Sequence, residues 1–487
     1  MLLFDGDSTI FGIGISSIGQ NTNDLFFVQN NGTQNQTVSS NDSLSISFRL
    51  YADSSSYLEY IYTLSDNAYD LKFQIKTVEF EQYISNQYIT LNWDTYIRSS
   101  EKGKTWENDN STIHYQYLDD EHDYINSHSK DEENVKLTGR VKWVAFKHHF
   151  FSSIIIADEH FLRGGAITST PLPLSENHVK RFSAVLDLPY EKNKPQNLKF
   201  YFGPNHYPTL KGYDLGLEQL LDLGWGIFAW LNKFAVIPIF NWLSKYFVNF
   251  GLIIFLLTVI IKLVLFPLTY KSYLSTAKMR VLKPEVDKLN EKFDKSEALK
   301  KQQSVMELYR KAGVNPMGGC IPMLIQLPIL YAMFRFFPAS IELRQESFLW
   351  AEDLSTYDSI MTLPFEIPWY GSHVSLFTLL MAVSMIFTTV LSNKNMTTMP
   401  GQPNMKFMMW MMPIMMLFWF NSYSSGLSYY YFVANMITLI QTWIIKATID
   451  DEALLNKLKA NTKIPKKKSK FQQKLEDIQK QQKSLKK

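Results

Sequence analysis

The chain has 487 residues, room for several domains, and a formal net charge of +3. Its mean hydropathy of −0.13 averages two unlike parts: a polar stretch rich in Asn, Ser and Tyr up to about residue 215, then a mostly apolar one to about 447. The single cysteine, Cys320, excludes an internal disulfide framework, and with no His or Asp set beside it is read as packing and not as a nucleophile.

Met1 to Phe27 contains no basic stretch followed by an apolar run, so neither a signal peptide nor an anchor is expected there. Residues 41–215 carry apolar–polar alternation of the kind a half-buried strand requires. Examples are Leu71 to Phe80, Tyr88 to Ile97, Val141 to Ile156 and Leu198 to Phe202. Between them lie loops such as Glu101 to Glu133, dense in Asn, Asp and Ser. Many strands without intervening helical periods predict an antiparallel β-sandwich over residues 1–212. His148 and His149 are neighbours on one predicted strand and point to opposite faces, so they cannot share a metal, and no metal site is expected.

From Tyr213 the period becomes helical. Leu217, Leu220, Leu221, Ile227, Trp230, Leu231, Phe234, Ile237 and Trp242 recur at three-to-four spacing, broken by Gly224, Gly226 and Pro238. A Trp-rich amphipathic segment beside a span predicts an interfacial helix over 213–249; the alternative is a helix packed on the β domain.

Residues 251–270 are apolar and long enough to cross a bilayer, for which about 20 residues suffice. Lys262 stands near their centre, where a lysine costs about 2.5–3.5 kcal/mol on insertion scales. No other apolar span contains Asp or Glu to pair with it. A lone deep cation points to a water-filled cavity; the alternative is a lysine snorkelling to headgroups or capping backbone carbonyls.

Residues 271–313 mix basic and acidic side chains. Met279, Leu282, Val286, Leu289 and Phe293 form one apolar stripe, and Leu299, Val305, Met306 and Leu308 another, which predicts a helical hairpin. Pro284 should kink the first helix or mark its true start. Four further spans follow at about 317–339, 373–391, 405–420 and 426–445, within a core of 250–447, and a basic tail runs over 448–487. Arg335 lies near one end of its span and reads as an interfacial anchor. The methionines 408, 409, 411, 412, 415 and 416 cover all faces of their helix, which favours a soft apolar surface over a metal site.

Charge sets the orientation. Lys271–Lys311 holds 11 Lys or Arg and the tail from Lys446 holds 13, whereas Ile341–Ser372 has Arg344 alone against six acids. By the positive-inside rule the hairpin and tail are cytoplasmic, and the acidic loop and β domain external. Tyr431, Asn435, Thr438 and Thr442 make a polar stripe on the last span, with Tyr430 beside it; Thr258, Lys262 and Thr269 make another on the first. Lipid offers such faces no hydrogen-bonding partner, so they should turn toward each other.

Several motifs then converge. They are Phe266-Pro-Leu-Thr269, Ala277-Lys-Met-Arg280, Tyr309 with the run Val314 to Pro328, Glu342-Leu-Arg-Gln345, and Ser425-Gly-Leu with Tyr430, Tyr431 and Asn435. Trp143-Val-Ala-Phe146 and Tyr201-Phe-Gly-Pro204 extend the likeness more weakly into the β domain. On these the chain resembles the YidC/Oxa/Alb family of membrane protein insertases, in its Gram-negative branch. The resemblance implies an inner-membrane chaperone, not an enzyme and without cofactor, whose five-helix core holds a hydrophilic groove. Family groove positions fall on Lys262, Thr258, Gln326, Tyr430 and Tyr431, with Asn435 on the same stripe; Lys278, Met279 and Arg280 fall in the cytoplasmic hairpin. Implied partners are nascent membrane proteins, membrane lipids, the Sec translocon and the ribosome. The family usually has Arg where this chain has Lys262, which keeps the charge and loses the bidentate fork. Its members also begin with an anchor helix and more periplasmic sequence, so the chain reads as starting late. The basic tail suits ribosomal RNA or anionic lipid equally. Two other functions stay open on the residues alone, an ion-coupled transporter and a membrane-anchored periplasmic carbohydrate-active protein. The first calls for intramembrane carboxylates and internal repeats, the second for paired carboxylates in one cleft.

Overall fold

The computed structural model describes residues 6–462, apart from 16, 31–36, 39–41, 67, 85–86, 174–176, 193, 294–296, 316–320 and 394–404. Cys320 and the tail beyond 462 therefore lie outside the described residues. Two compact units emerge: Met1–Leu223 with Ala339–Arg344, and Gly224–Pro338 with Gln345–Lys487.

The first unit is a β-sandwich of a six-stranded and a nine-stranded sheet, with every strand pair antiparallel. Strand Tyr88–Arg98 shows how the sequence builds it. Ile89, Leu91, Trp93, Thr95 and Ile97 alternate with more exposed residues and turn into the core. There Trp93 stacks on Phe146 of the opposite sheet, ring centroids 3.8 Å apart. Phe73, Ile155, Phe182 and Phe200 join the same cluster.

The strands differ from the alternation legible in the sequence in four places. Within the 1–212 bounds they begin ahead of residue 41, where that alternation started, because Thr9–Ile15 pairs with Tyr88–Arg98, Phe11 opposite Trp93. Glycines 12 and 14 interrupt that strand's apolar pattern, and Gly12 is needed since Asn21 and Thr22 side chains occupy the space of a Cβ. Val141 to Ile156 is two strands, Val141–Lys147 and Phe151–Phe161, joined by a tight turn. The turn carries neither Gly nor Pro; the Asn205 amide fastens it instead, donating to the carbonyls of His148 and His149 at 2.9 and 3.1 Å. His148 and His149 thus sit in a turn, both buried, and His148 pairs with the buried Glu107 at 2.8 Å. Within 101–133 the structure has helix Lys104–Asp109 and strands Thr112–Tyr117 and His122–Tyr124 where a loop was expected. Lastly, 213–223 does not start a long helix. The Trp143 indole donates to the Leu215 carbonyl at 2.9 Å, and Leu217 and Leu220 are fully buried.

The segment Ala339–Arg344 belongs to this unit by its contacts. Arg344 Nε donates to Glu101 Oε1 at 2.9 Å, and its guanidinium lies 5.5 Å over the Phe151 ring. Burial alone would raise the Glu342 carboxyl, yet hydrogen bonds from His206 and Ser340 hold it below the ordinary carboxylate value.

The second unit is helical. Ile227–Leu231 and Ile237–Ser244 flank a π-helical stretch, Asn232–Val236, just ahead of Pro238, which has no N–H to give to a regular ladder. The buried Asn232 amide donates to the Ala332 carbonyl at 3.0 Å. Five core helices follow: Phe250–Val281, Ile321–Ala339, Leu376–Asn393, Met405–Phe420 and Ser425–Thr448. By length and composition, Ile227–Ser244 and Phe250–Val281 are apolar enough to cross a membrane, as is Ser425–Thr448 joined with Asp451–Ala460 across a 68° bend. Leu324–Ala339, Leu376–Leu391 and Trp410–Phe420 are shorter apolar helices.

The first core helix is capped by Asn249, whose side chain accepts from the Leu252 amide at 3.0 Å, and it outruns the expected 251–270. Nothing after Tyr270 breaks it until Leu282, so Lys278, Met279 and Arg280 lie on its last turns and not on a separate hairpin helix. Pro284 then opens the short helix Lys283–Asn290, where its missing N–H is harmless. Helix Ala298–Ala312 follows and ends on Gly313 at φ +73°, a left-handed cap. Leu282, Val286, Val305, Tyr309 and Ala312 make a small separate core there, closed by Leu458 of the final helix, Asp451–Thr462. His373, expected to open the third span, lies in a short strand instead, and the helix starts at Leu376.

Candidate functional site

The polar residues of the core helices meet in a cavity of about 320 Å³. Lys262 brings the charge. It is only 9% exposed, and its ammonium donates to Thr438 Oγ1 at 3.0 Å and Gln326 Oε1 at 3.3 Å. Thr438 gives its own hydroxyl proton to the Ala434 carbonyl, so its oxygen is free to accept. Two acceptors for three ammonium protons leave one donor unassigned. Both partners are neutral, and no acid appears among the described residues lining the cavity.

The remaining lining comes from all five core helices. Thr269 is contributed by the first, Leu330 by the second, Met381, Met385 and Thr388 by the third, Met416 and Phe420 by the fourth, and Tyr431, Ala434 and Asn435 by the fifth. The polar members are held by the scaffold. Tyr431 donates to the Leu330 carbonyl at 2.7 Å, and Asn435 Nδ2 to Ser384 Oγ at 3.0 Å. Gln441 Nε2 reaches the Lys262 carbonyl at 3.3 Å and ties the first helix to the fifth one turn further along.

Of the residues singled out by sequence, Lys262, Gln326, Tyr431 and Asn435 come together here, and the two polar stripes do face each other. Thr258 and Tyr430 do not line the cavity. Thr258 is fully buried and returns its hydroxyl to the Ile254 carbonyl at 2.6 Å. Tyr430 is fully buried between Phe337 and Tyr431, rings 5.6 and 5.2 Å away. Ser384 and Gln441 were missed. A lone serine in an apolar span carries no signal, whereas Gln441 extends the Tyr431–Asn435–Thr438 stripe and was open to detection. Among the methionines, Met411 and Met415 are exposed and Met416 faces the cavity; the side chains of Met408 and Met409 lie outside the described residues.

Lys278, Met279 and Arg280 stand well apart from that cavity along the first helix. Arg280 pairs with Asp451 at 2.7 Å, and Met279 packs on the small core around Tyr309.

Comparison with known proteins covers both units. Residues 5–237 match the model for the YidC periplasmic domain, and residues 242–452 the model for the 60Kd inner membrane protein. The membrane protein insertase YidC of Bacteroides fragilis is 44% identical over 465 residues, covering 92% of this chain and 75% of its own. That of Parabacteroides distasonis is 41% identical over 510 residues, covering 100% and 78%. A solved active YidC insertase with its first transmembrane domain resolved covers 92% of this chain and 85% of its own at 21% identity, with a TM-score of 0.37 too low to carry an argument.

Proposed function

The chain belongs to the YidC family of membrane protein insertases, inner-membrane proteins with a periplasmic domain, and on that premise we propose that the Lys262 cavity is where a client's polar segment is received. The observation that carries this reading is a buried ammonium held by neutral oxygens alone, in an open cavity with one N–H to spare. Its two acceptors are side-chain oxygens and a cavity opens beside them, which leaves room for a carboxylate or a client carbonyl. The polar tail of a nascent segment enters between the first, second and fifth core helices, and Lys262 attracts its acidic residues. The cavity offsets part of their desolvation. The adjoining apolar segment then leaves along the Met-lined side into lipid, driven by hydrophobic transfer. No bond is made or broken, so the reading is of a chaperone and not an enzyme.

In this reading helices 283–312 and the 451–462 helix face the cytoplasm, loop 345–374 faces outward, and five helices cross. In the same reading the Sec translocon is a partner. The basic residues beyond 462 attract phosphate, of ribosomal RNA or of lipid.

Depletion of the protein should stall insertion of small membrane proteins with acidic translocated tails, and the wild-type chain, but not Lys262→Ala, should restore it. Single-cysteine labelling on a Cys320→Ser background should reach position 307 only from the cytoplasm and position 352 only from outside. Labelling of 307 from outside in intact cells would overturn the orientation. Equal rescue by Lys262→Ala would sink the cavity mechanism.

A further inference from the structure

The loop between the second and third core helices contains an element its sequence did not announce. Met361–Ile367 and Gly371–Val374 form an antiparallel hairpin, Met361 opposite Val374, Thr362 opposite His373, and Ile367 opposite Gly371. From Ser359 to Val374 the sole formal charge is Glu366. The acids that made this loop look hydrophilic sit mostly ahead of it, at 342–358. Several apolar side chains on the hairpin, and Ile360 just ahead of it, nevertheless point outward: Ile360 is 51% exposed, Met361 53%, Phe365 60% and Trp369 90%.

The base of the hairpin is tied to the ends of the core helices. Asn421, in the turn between the fourth and fifth, donates to the carbonyls of Tyr370 and His373, each at 2.8 Å. Its own side-chain oxygen accepts from the Ser375 amide at 3.0 Å, and its backbone carbonyl lies 2.8 Å from His373 Nε2. His373 stacks on Tyr357 at 3.8 Å, and Tyr370 meets Phe418 at 5.5 Å. Val374 lies two residues before Leu376, where the third core helix starts. At ~3.3 Å per residue the six steps from Met361 to Ile367 keep the tip within roughly 20 Å of that start. Trp419, next to Phe418 on the last turn of the fourth helix, is 61% exposed and adds a further aromatic at this end of the core.

We infer that this hairpin is a monotopic membrane anchor, its tip seated at the headgroup–acyl boundary of the leaflet around the start of the third core helix. Aromatic side chains favour that depth, and a rigid, nearly uncharged hairpin at a helix end is held where they reach it. Without Lys or Arg between 359 and 374, it binds by hydrophobic transfer and not by headgroup charge, so anionic lipid content and salt leave it unchanged. The inference rests on the reading that the third core helix crosses the bilayer.

The test uses the full chain on a Cys320→Ser background in nanodiscs of phosphatidylethanolamine and phosphatidylglycerol. Phe365→Cys carries an NBD label, with Glu352→Cys, exposed in the same loop, and Phe387→Cys, 60% exposed on the third core helix, as references. The Phe365 label should be quenched by lipid bearing a doxyl group at acyl carbon 5, and at least threefold less accessible to iodide than the Glu352 label. Both results should persist when phosphatidylglycerol is omitted. Quenching by iodide and not by lipid overturns the anchor, and shielding from both assigns the hairpin to a protein contact and overturns it equally. If the Phe387 label is lipid-quenched while the Phe365 label is not, the anchor fails and the spanning helix stands; if neither is, the spanning reading itself fails. Should Phe365→Cys not assemble, Trp369→Cys carries the same measurement.

Discussion

Two buried lysines, one in each unit, show how differently the two halves of the molecule treat charge. Lys180 in the sandwich is 1% exposed, and its ammonium donates to the Ser111 carbonyl at 2.8 Å and the Ser127 carbonyl at 2.6 Å. Burial pushes it down to about 8, with Asp109 and Glu133 opposing from nearby. It stitches helix Lys104–Asp109 and the segment after Tyr124 onto strand His178–Pro189. Lys262 has two acceptors as well, but they are side-chain oxygens at longer distances, and it opens on a cavity. One lysine completes backbone carbonyls; the other holds side-chain oxygens beside an open cavity. Elsewhere the first unit pairs its charges with each other, Glu107 with His148, Arg49 with Glu59 and Arg344 with Glu101. Each ammonium has two acceptors, so what separates the two lysines is the kind of acceptor, backbone carbonyl or side-chain oxygen, and the cavity beside Lys262.

Removing each lysine should break the comparison in opposite ways. Lys180→Met strands the buried Ser111 carbonyl and the part-buried Ser127 carbonyl, at about 1–3 kcal/mol for the buried one and less for the other, so the fold should lose about 2–3 kcal/mol in chemical unfolding. Insertion should fall only as far as the protein level does. Unchanged unfolding of Lys180→Met would show that the two carbonyls find other partners.

The next effect is on activity, not stability. Lys262→Ala removes a charged hydrogen-bond donor worth about 1.5–3 kcal/mol to an acidic tail, roughly tenfold or more in insertion of such clients. Clients with neutral tails should be affected far less, and Lys262→Glu should be worst for acidic ones. Protein level should hold, because deleting a deep charge removes its insertion cost of about 2.5–3.5 kcal/mol. Equal losses for acidic and neutral tails would mean that Lys262 supports the fold after all, as Lys180 does.

A smaller effect belongs to the sandwich alone. Burial holds His114 well below the ordinary imidazole value, with Lys147 and the neighbouring His122 adding to it; burial also lowers His122, 3.0 Å away. An unfolded chain takes up these protons first as pH falls below about 6.5, so stability present above that pH is lost as acidification proceeds toward the folded value. The first unit's unfolding midpoint should fall between pH 7 and 5, and His114→Gln should flatten the slope. A wild-type midpoint flat over that window would exclude the two imidazoles as a source of acid sensitivity.

The cavity was more legible in the sequence than the elements around it, for a physical reason. Lipid leaves polar side chains one way to turn, so the spacing of Lys262 on one helix and of Tyr431, Asn435 and Thr438 on another pointed them at each other, whereas Gln326 came from the family resemblance alone. Thr258 is four residues before Lys262, but there the helix is packed tightly and the hydroxyl bonds within its own turn. Tyr430 failed because adjacent residues on a helix point about 100° apart. The helical period said little about helix ends: charge after Tyr270 marks an aqueous edge, yet the helix itself continues to Val281. In the sandwich, a buried turn without Gly or Pro hid the break between Val141–Lys147 and Phe151–Phe161. Pro364 and Pro368 hid the 361–374 hairpin, since proline argues against strands. Pro364 falls where the register shifts, between Thr362 and Ile367, and there it costs no ladder bond.

The smallest expected effect is the sharpest test of what Lys262 contributes. Lys262→Arg keeps the charge at the same depth, and a guanidinium can donate to both Gln326 and Thr438 oxygens within the open cavity. Its planar fork offers more donors than an ammonium, so acidic-tailed clients should insert at close to the wild-type rate. Lys262→Gln supplies the complementary arm: it keeps polar donors beside Thr438 and loses only the charge. If charge is what the cavity contributes, Arg retains activity toward acidic tails and Gln loses most of it, while both insert neutral tails normally. If polarity suffices, the two variants behave alike, and the contrast with Lys180 reduces to backbone against side-chain acceptors. Insertion rates for one client carrying either an acidic or a neutral tail, measured in both variants at matched protein levels, decide between the two.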